Sequence, residues 1–259
     1  MMNLSKDTRT AIRQQLISDR LFGLTFVPIP RAATGRSAAR STSPSTVPQP
    51  DSGRPARMPS AQKIETLRVL DETQVRSCTK CSLHQTRTQT VFGQGNPDAR
   101  LVFVGEAPGF EEDNQGLAFV GRAGALLSKM IVAMGLTRET VYICNVLKCR
   151  PPNNRDPSAD EILSCSPYLR EQLSTINPEV IVSLGSPATK TLLNTAESIG
   201  RLRGRFHDYY LSGVTGDGSS IPLMPTYHPA YLLRNEGEKR KTWDDLQLVM
   251  QRLGLPLPH

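Results

Sequence analysis

Three apolar stretches of the sequence end in polar side chains that could meet in one substrate-binding pocket. The first ends at Glu106, the second at Asn145, and the third leads to His228. A proline or a proline-rich loop follows each of these residues. One polar strand end is common, but three of them, each before a rigid corner, indicate a shared pocket. Carboxylate, amide and imidazole groups there could hold a polar substrate and exchange protons with it.

Four of the five cysteines have a spacing typical of a metal site. Cys78 and Cys81 form a C-x-x-C turn, whereas Cys149 and Cys165 flank a long loop and the start of a helix. Two thiolates from a tight turn and two from elsewhere complete a tetrahedral zinc site or a four-iron cluster, and spacing alone does not distinguish them. The alternative is four unrelated buried thiols. Cys144 lies inside an apolar stretch, where we expect an inert core thiol.

Length and composition predict a soluble protein of the cytoplasm. The 259 residues, with 38% hydrophobic content, suffice for one good-sized core. We find no apolar stretch near the roughly 18 residues of a membrane span and no secretory signal at the start. An odd number of cysteines fits a compartment that keeps thiols reduced.

Charge and composition divide the chain at about residue 60. The first 60 positions hold nine of the 31 basic residues and three of the 24 acidic ones. We predict a short N-terminal segment at 1–26 with helical spacing, a disordered linker rich in Pro, Ser and Arg at 27–60, and a folded domain at 61–259. The basic tail could bind a partner that the sequence does not identify. In the folded part the numbers of basic and acidic residues are nearly equal, so a surface that binds polyanions must come from local clusters of basic residues.

The alternation of strands and helices after residue 61 predicts an α/β fold. Near-continuous apolar strands are expected at 101–106, 141–147, 179–185 and 221–227, with helices between them. Such a pattern is typical of a four-stranded parallel sheet covered on both faces, a three-layer α/β/α sandwich. Ligands of these sheets bind beyond the carboxyl ends of the strands. The stretch 201–213 is either an extra strand or a surface excursion.

These motifs together resemble those of the family 4 uracil-DNA glycosylases, the iron–sulfur branch of that superfamily. The resemblance covers roughly residue 61 to the C-terminus and rests on "CTKCSLHQTRTQTVFGQG", "LVFVGEAPGFEEDNQGLAFVGRAGALL", "VYICNVLKCRPPNNRDPSADEILSC", "PEVIVSLGSPA" and "TYHPAYLLRN". It implies an enzyme of base excision repair that hydrolyses the N-glycosidic bond of a flipped-out deoxyuridine and leaves an abasic site. Nothing resembles the lysine nucleophile of a lyase, so we expect no strand cleavage. The resemblance also implies a 4Fe-4S cluster on Cys78, Cys81, Cys149 and Cys165.

The same resemblance implies roles in binding uracil. Phe119 is expected to stack on the base, and the amide of Asn145 to bond N3–H and O4, which suits uracil and opposes cytosine. Glu112 is expected to exclude the thymine methyl group. His228 is the expected donor to O2, helped by backbone N–H groups at the corner of Glu106 and Ala107.

Catalysis and DNA binding draw on further residues of the motifs. Glu106 is expected to orient the attacking water or oppose the sugar cation, with Asn154 as a second candidate for the water. Ala107 stands where the better-known branch of the superfamily has an aspartate. For DNA contacts we expect Leu232 to fill the space of the flipped base and basic residues to bind phosphates: Arg234, Lys148, Arg150 and Arg155.

Two other functions compete with the glycosylase. One is an iron–sulfur protein that binds DNA or senses redox state with a degenerate pocket, and the other is a relative that captures uracil covalently. The intact Glu106, Phe119, Asn145 and His228 argue against the first. No basic insertion with a second histidine follows "NVLKCRPPNNR", which argues against the second. We expect a monomer that acts on single- or double-stranded DNA in the bacterial cytoplasm or nucleoid, away from membranes.

Overall fold

The structure, a computed structural model, describes residues 58–213, 216, 218 and 220–257. Within these residues the chain forms one six-stranded sheet in the order β1-β3-β2-β4-β6-β5. The two edge strands, β1 and β5, are antiparallel to their neighbours, whereas the four central strands are parallel. The strands are β1 Gln94–Gly95, β2 Leu101–Gly105, β3 Tyr142–Asn145, β4 Val180–Leu184, β5 His207–Tyr210 and β6 Ser220–Thr226.

The four central strands confirm the parallel sheet predicted from the sequence, with ends that differ by at most two residues. The sequence did not predict β1, because two residues are too few to show a period. The stretch 201–213 contains the edge strand β5. The predicted segment at 1–26 and linker at 27–60 lie outside the described residues, apart from 58–60.

Helices connect the strands and cover the sheet. The α-helices are α1 Ser60–Leu70, α2 Phe110–Gln115, α3 Arg122–Ala133, α4 Ala159–Ile176, α5 Ser186–Leu193, α6 Ile199–Leu202, α7 Pro229–Leu232 and α8 Lys239–Arg252. Among the described residues, no helix combines the length and apolarity needed to cross a membrane.

Successive residues of the central strands point to opposite faces, and each face has its own core. On one face Val102 and Val104 pack with residues of α1, α4 and α5. On the other face Leu101 and Phe103 pack with residues of α3 and α8. Because a strand has a side-chain period of two, this alternation makes the sheet the middle layer of three. The predicted three-layer α/β/α sandwich is therefore confirmed.

The topology brings three polar strand ends to one edge. The chain leaves β2 toward β3 on one side and leaves β4 toward β6 on the other, so the connections diverge between β2 and β4. Such a divergence opens a crevice at the carboxyl edge of a parallel sheet. Gly105 pairs in register with Asn145, and Leu184 with Thr226, so Glu106, Asn145 and the segment that leads to His228 reach the same edge.

Candidate active site

A cavity of about 250 Å³ opens at this carboxyl edge. Its walls come from the turn after β2, the end of β3, the loop before α4 and the start of α7. All seven residues that the sequence assigned to uracil binding or catalysis line it: Glu106, Ala107, Glu112, Phe119, Asn145, Asn154 and His228. Residues up to 122 positions apart in the chain (228 − 106) are thus brought together, as the strand-end pattern predicted.

Asn145 carries a buried amide oxygen at the cavity. The residue is 1% exposed, and its Oδ1 has no hydrogen-bond partner among the described residues. Gly105, its neighbour on β2, leaves room for this side chain. A Cβ atom on Gly105 would lie 2.4 Å from Asn145 Oδ1 and 2.6 Å from Cζ of Phe119. Glycine is therefore required here for the close approach of two side chains.

Phe119 is held in an unusual backbone conformation beside His228. Its φ of 54° lies in the left-handed region, and its ring centroid is 5.6 Å from that of His228. Arg138 donates to the carbonyl oxygens of Phe119, at 3.1 Å, and Ala118, at 2.7 Å. A Cβ atom on Gly124 would lie 1.8 Å from the Phe119 oxygen. Arg138 therefore fixes the backbone of the aromatic wall, and Gly124 leaves room for it; neither residue was predicted from the sequence.

Glu112 joins two walls of the cavity through its carboxylate. Oε2 accepts from the backbone N–H of Gly109 at 3.1 Å and so caps α2. Oε1 accepts from the N–H groups of Val120, at 2.9 Å, and Gly121, at 3.0 Å. These bonds fix the segment after Phe119 to the turn after β2. Glu112 therefore organises the cavity as well as lining it.

Two titratable groups that line the cavity, Glu106 and His228, have pKa values shifted in opposite directions. Burial, with a smaller contribution from the negative charge of Asp156, raises the pKa of Glu106 to about 7. Burial, aided by the positive charge of Arg234, lowers the pKa of His228 to about 4. His228 Nδ1 accepts from the N–H of Ala230 at 3.1 Å. At neutral pH the imidazole is therefore uncharged, with its proton on Nε2.

Two of the residues predicted to contact DNA are placed elsewhere by the fold, and these predictions were wrong. Lys148 is 1% exposed, and its Nζ donates to the Asn145 carbonyl oxygen at 2.8 Å and to Gln172 Oε1 at 2.5 Å. Leu232 is also 1% exposed, because α7 packs against α3. On the same helix Tyr231 is 36% exposed.

The other predicted DNA contacts lie at the surface. Arg234 is exposed just after α7. Arg155 lines the cavity and pairs with Glu161, with N–O distances of 2.6 and 2.9 Å. Arg150 is half-buried, and its Nε donates to Asn154 Oδ1 at 2.7 Å. Their contact with phosphates stays a prediction.

A second cavity is lined by Cys78, Cys81, Cys149 and Cys165. Three hydrogen bonds reach their sulfurs, from Arg87 to Cys149 at 3.1 Å, from the Lys148 N–H to Cys165 at 3.2 Å, and from the Tyr168 hydroxyl to Cys78 at 3.3 Å. Cys144 lies apart, fully buried on β3, as predicted. Across the described residues no three His, Cys, Asp or Glu side chains converge as ligands of one metal ion.

The donors to sulfur were not identified from the sequence. Arg87 also bonds the carbonyl oxygens of Cys78, at 2.8 Å, and Arg76, at 3.1 Å, and thereby ties the C-x-x-C turn to Cys149. Hydrogen-bond donors and positive charge favour the thiolate form of a cysteine. The cavity therefore presents four sulfurs together with hydrogen-bond donors, which oppose the effect of burial in raising the pKa of Cys149 and Cys165.

Comparison with known proteins matches this chain to uracil-DNA glycosylases. Residues 92–247 match the model of the uracil DNA glycosylase superfamily. The chain is 45% identical over 185 residues to a type-4 uracil-DNA glycosylase of Saccharolobus solfataricus, covering 70% of this chain and 83% of the relative. It is 47% identical over 176 residues to one of Thermotoga maritima, covering 68% and 87%. It is 31% identical over 173 residues to a type-5 uracil-DNA glycosylase of Pyrobaculum aerophilum, covering 61% and 72%.

The raised pKa of Glu106 predicts a pH-dependent effect of Glu106→Gln on stability. A carboxyl whose pKa rises on folding stabilises the folded state below its ordinary pKa, and this contribution is lost as the pH rises through about 7. Glutamine cannot ionise, so the variant should gain free energy of unfolding over wild type at about pH 8.5 and lose this advantage at about pH 5. Urea unfolding at both pH values measures this. The exposed Glu197→Gln is the control, and an equal difference at both pH values would contradict the shifted pKa.

Proposed function

The chain belongs to the type-4 uracil-DNA glycosylases and excises uracil from DNA, and we propose that it hydrolyses the N-glycosidic bond of an extruded deoxyuridine. The products are free uracil and an abasic site in an uncut strand, as in base excision repair. The observation that supports this most directly is the buried Asn145 Oδ1, which lines a cavity of about 250 Å³ and has no hydrogen-bond partner in the part of the chain that the structure describes. An unsatisfied buried acceptor is costly, and a ligand that donates a hydrogen bond removes the cost.

Uracil offers the groups that this amide needs. Its N3–H would donate to Asn145 Oδ1, and its O4 would accept from Nδ2. Cytosine presents an acceptor at N3 and a donor at C4, so the same amide would oppose it. Phe119 would stack on the face of the ring, held by the bonds from Arg138. Glu112, fixed by three backbone N–H groups, would form the wall that excludes a methyl group at C5.

Cleavage leaves negative charge on uracil and positive charge on the sugar. His228, neutral at physiological pH, would donate from Nε2 to uracil O2 and stabilise the anion without first losing a proton to solvent. The Glu106 carboxylate would orient the attacking water and oppose the cationic sugar, with Asn154 as a second group near the water. Because the pKa of Glu106 is about 7, the carboxyl can both hold and release a proton near neutral pH.

We also propose that Cys78, Cys81, Cys149 and Cys165 bind a 4Fe-4S cluster. Their common cavity and the three donors to their sulfurs support it. The cluster would supply a rigid link between the C-x-x-C turn and the loop after β3. Lys148 connects this loop to the carbonyl oxygen of Asn145, so the link would steady the base-reading residue.

A DNA substrate implies a surface that binds phosphates. Arg234, Arg155 and Arg150 would contact phosphates, which makes binding weaken with salt. We place the catalytic domain at 61–259 and expect a monomer in the cytoplasm. Leu232 and Lys148 are not part of this surface, because both are buried.

The activity is tested by mixing the purified protein with an oligonucleotide that contains one deoxyuridine, followed by alkali and a denaturing gel. We expect strand cleavage only after alkali. His228→Ala should lower turnover by about 10²- to 10³-fold, with little loss of DNA affinity, because the donor acts on charge that develops in the transition state. A heat-stable protein–DNA adduct would indicate covalent capture, and an unchanged oligonucleotide would indicate a binding protein.

The cluster is tested with Cys149→Ser. We expect loss of brown colour and of bound iron, because one of four thiolates is removed. The control is Cys144→Ser, which changes a buried cysteine of β3 outside this cavity. The folded Cys144→Ser protein should retain its iron. Full iron content in Cys149→Ser would remove Cys149 from the ligand set.

A further inference from the structure

A large aromatic side chain stands exposed at the mouth of the catalytic cavity. Phe110, the first residue of α2, is 53% exposed. The preceding residue, Gly109, lines the cavity. An exposed aromatic ring beside a binding cavity indicates contact with a partner or substrate more than an isolated surface side chain does.

Arg150 contacts this ring from the loop after β3. The centre of its guanidinium lies 5.0 Å from the Phe110 ring centroid, within the range of a cation–π contact. The following residue, Pro151, lines the same cavity. The two side chains therefore join two loops that form the mouth. Arg150 is also oriented, because its Nε donates to Asn154 Oδ1 at 2.7 Å.

We propose that Phe110 and Arg150 form a stacking platform for the nucleobase next to the extruded uracil on the same strand. The proposal rests on the function proposed above. When a nucleotide leaves the stack, its neighbour loses a stacking partner, and an aromatic ring at the mouth replaces it. The positive charge of Arg150 complements the phosphate that joins the two nucleotides. A ring and a guanidinium side by side suit a nucleic acid better than an apolar protein surface.

The platform explains two features that uracil binding alone does not require. Phe110 is outside the cavity, so it contributes nothing to the base pocket, and Arg150 bonds Asn154 without lining the cavity itself. Both side chains belong to segments that border the cavity, where the strand on one side of the uracil would pass. The platform therefore reads the presence of a neighbouring base and not its identity, since every base has an aromatic face.

The test compares substrates with and without the neighbouring base. The kcat/KM of wild type, Phe110→Ala and Phe110→Trp is measured on single-stranded oligonucleotides with one deoxyuridine. Two further substrates carry an abasic spacer in place of the base on the 5′ or the 3′ side. We expect Phe110→Ala to lower kcat/KM by about 5- to 100-fold on the normal substrate and to change it little on one of the two spacer substrates. Phe110→Trp should keep near wild-type values.

Controls separate failure of the platform from failure of the proposed function. Wild-type release of uracil reports the function itself, and inhibition by free uracil should be equal in wild type and Phe110→Ala if the pocket is intact. Val132→Ala removes another exposed apolar side chain, 66% exposed on α3, and should match wild type on all substrates. Two results would contradict the platform, provided that wild type releases uracil. The kcat/KM of Phe110→Ala would equal that of wild type, or it would fall by the same factor on all three substrates.

Discussion

The carboxyl edge of the sheet is organised around one buried amide oxygen, Asn145 Oδ1, that lacks a hydrogen-bond partner among the described residues. Asn145 Oδ1 is enclosed by close-packed elements, and leaving such an acceptor unsatisfied costs stability of about 1–3 kcal/mol. The fold tolerates this cost in the wall of a cavity, where an arriving donor can satisfy the oxygen. Affinity and selectivity then come from the same atom, because only a ligand with a donor at that place removes the cost.

Much of the surrounding structure serves to keep this amide in place. Lys148 Nζ donates to the backbone oxygen of Asn145 and to Gln172 Oε1. Gln172 Nε2 in turn donates to the carbonyl oxygen of Phe92 at 2.9 Å. Gly105 leaves the space that the amide and the Phe119 ring occupy. The N–H of Lys148 reaches a cysteine sulfur, so the cysteine cavity and the base-reading residue share one short loop. A rigid cysteine site would therefore affect uracil binding without touching the base.

The sequence predicted the site better than it predicted the surface around it. Parallel strands place their carboxyl ends together, so Glu106, Asn145 and His228 could be assigned to one pocket from position alone. Lys148 looked like a surface charge in a basic loop, and only the fold brings Gln172 and the Asn145 carbonyl to it. Leu232 lies in a four-residue helix, which is too short for a pattern to reveal its buried face.

The arrangement of the cavity makes the uracil-reading role of Asn145 directly measurable. A crystal structure of the protein with an oligonucleotide that carries a non-cleavable deoxyuridine analogue would locate the base. The account predicts uracil N3 at about 2.7–3.2 Å from Asn145 Oδ1, with the ring stacked on Phe119. A base bound in the cavity with its N3–H directed elsewhere, and Oδ1 still without a donor, would contradict it.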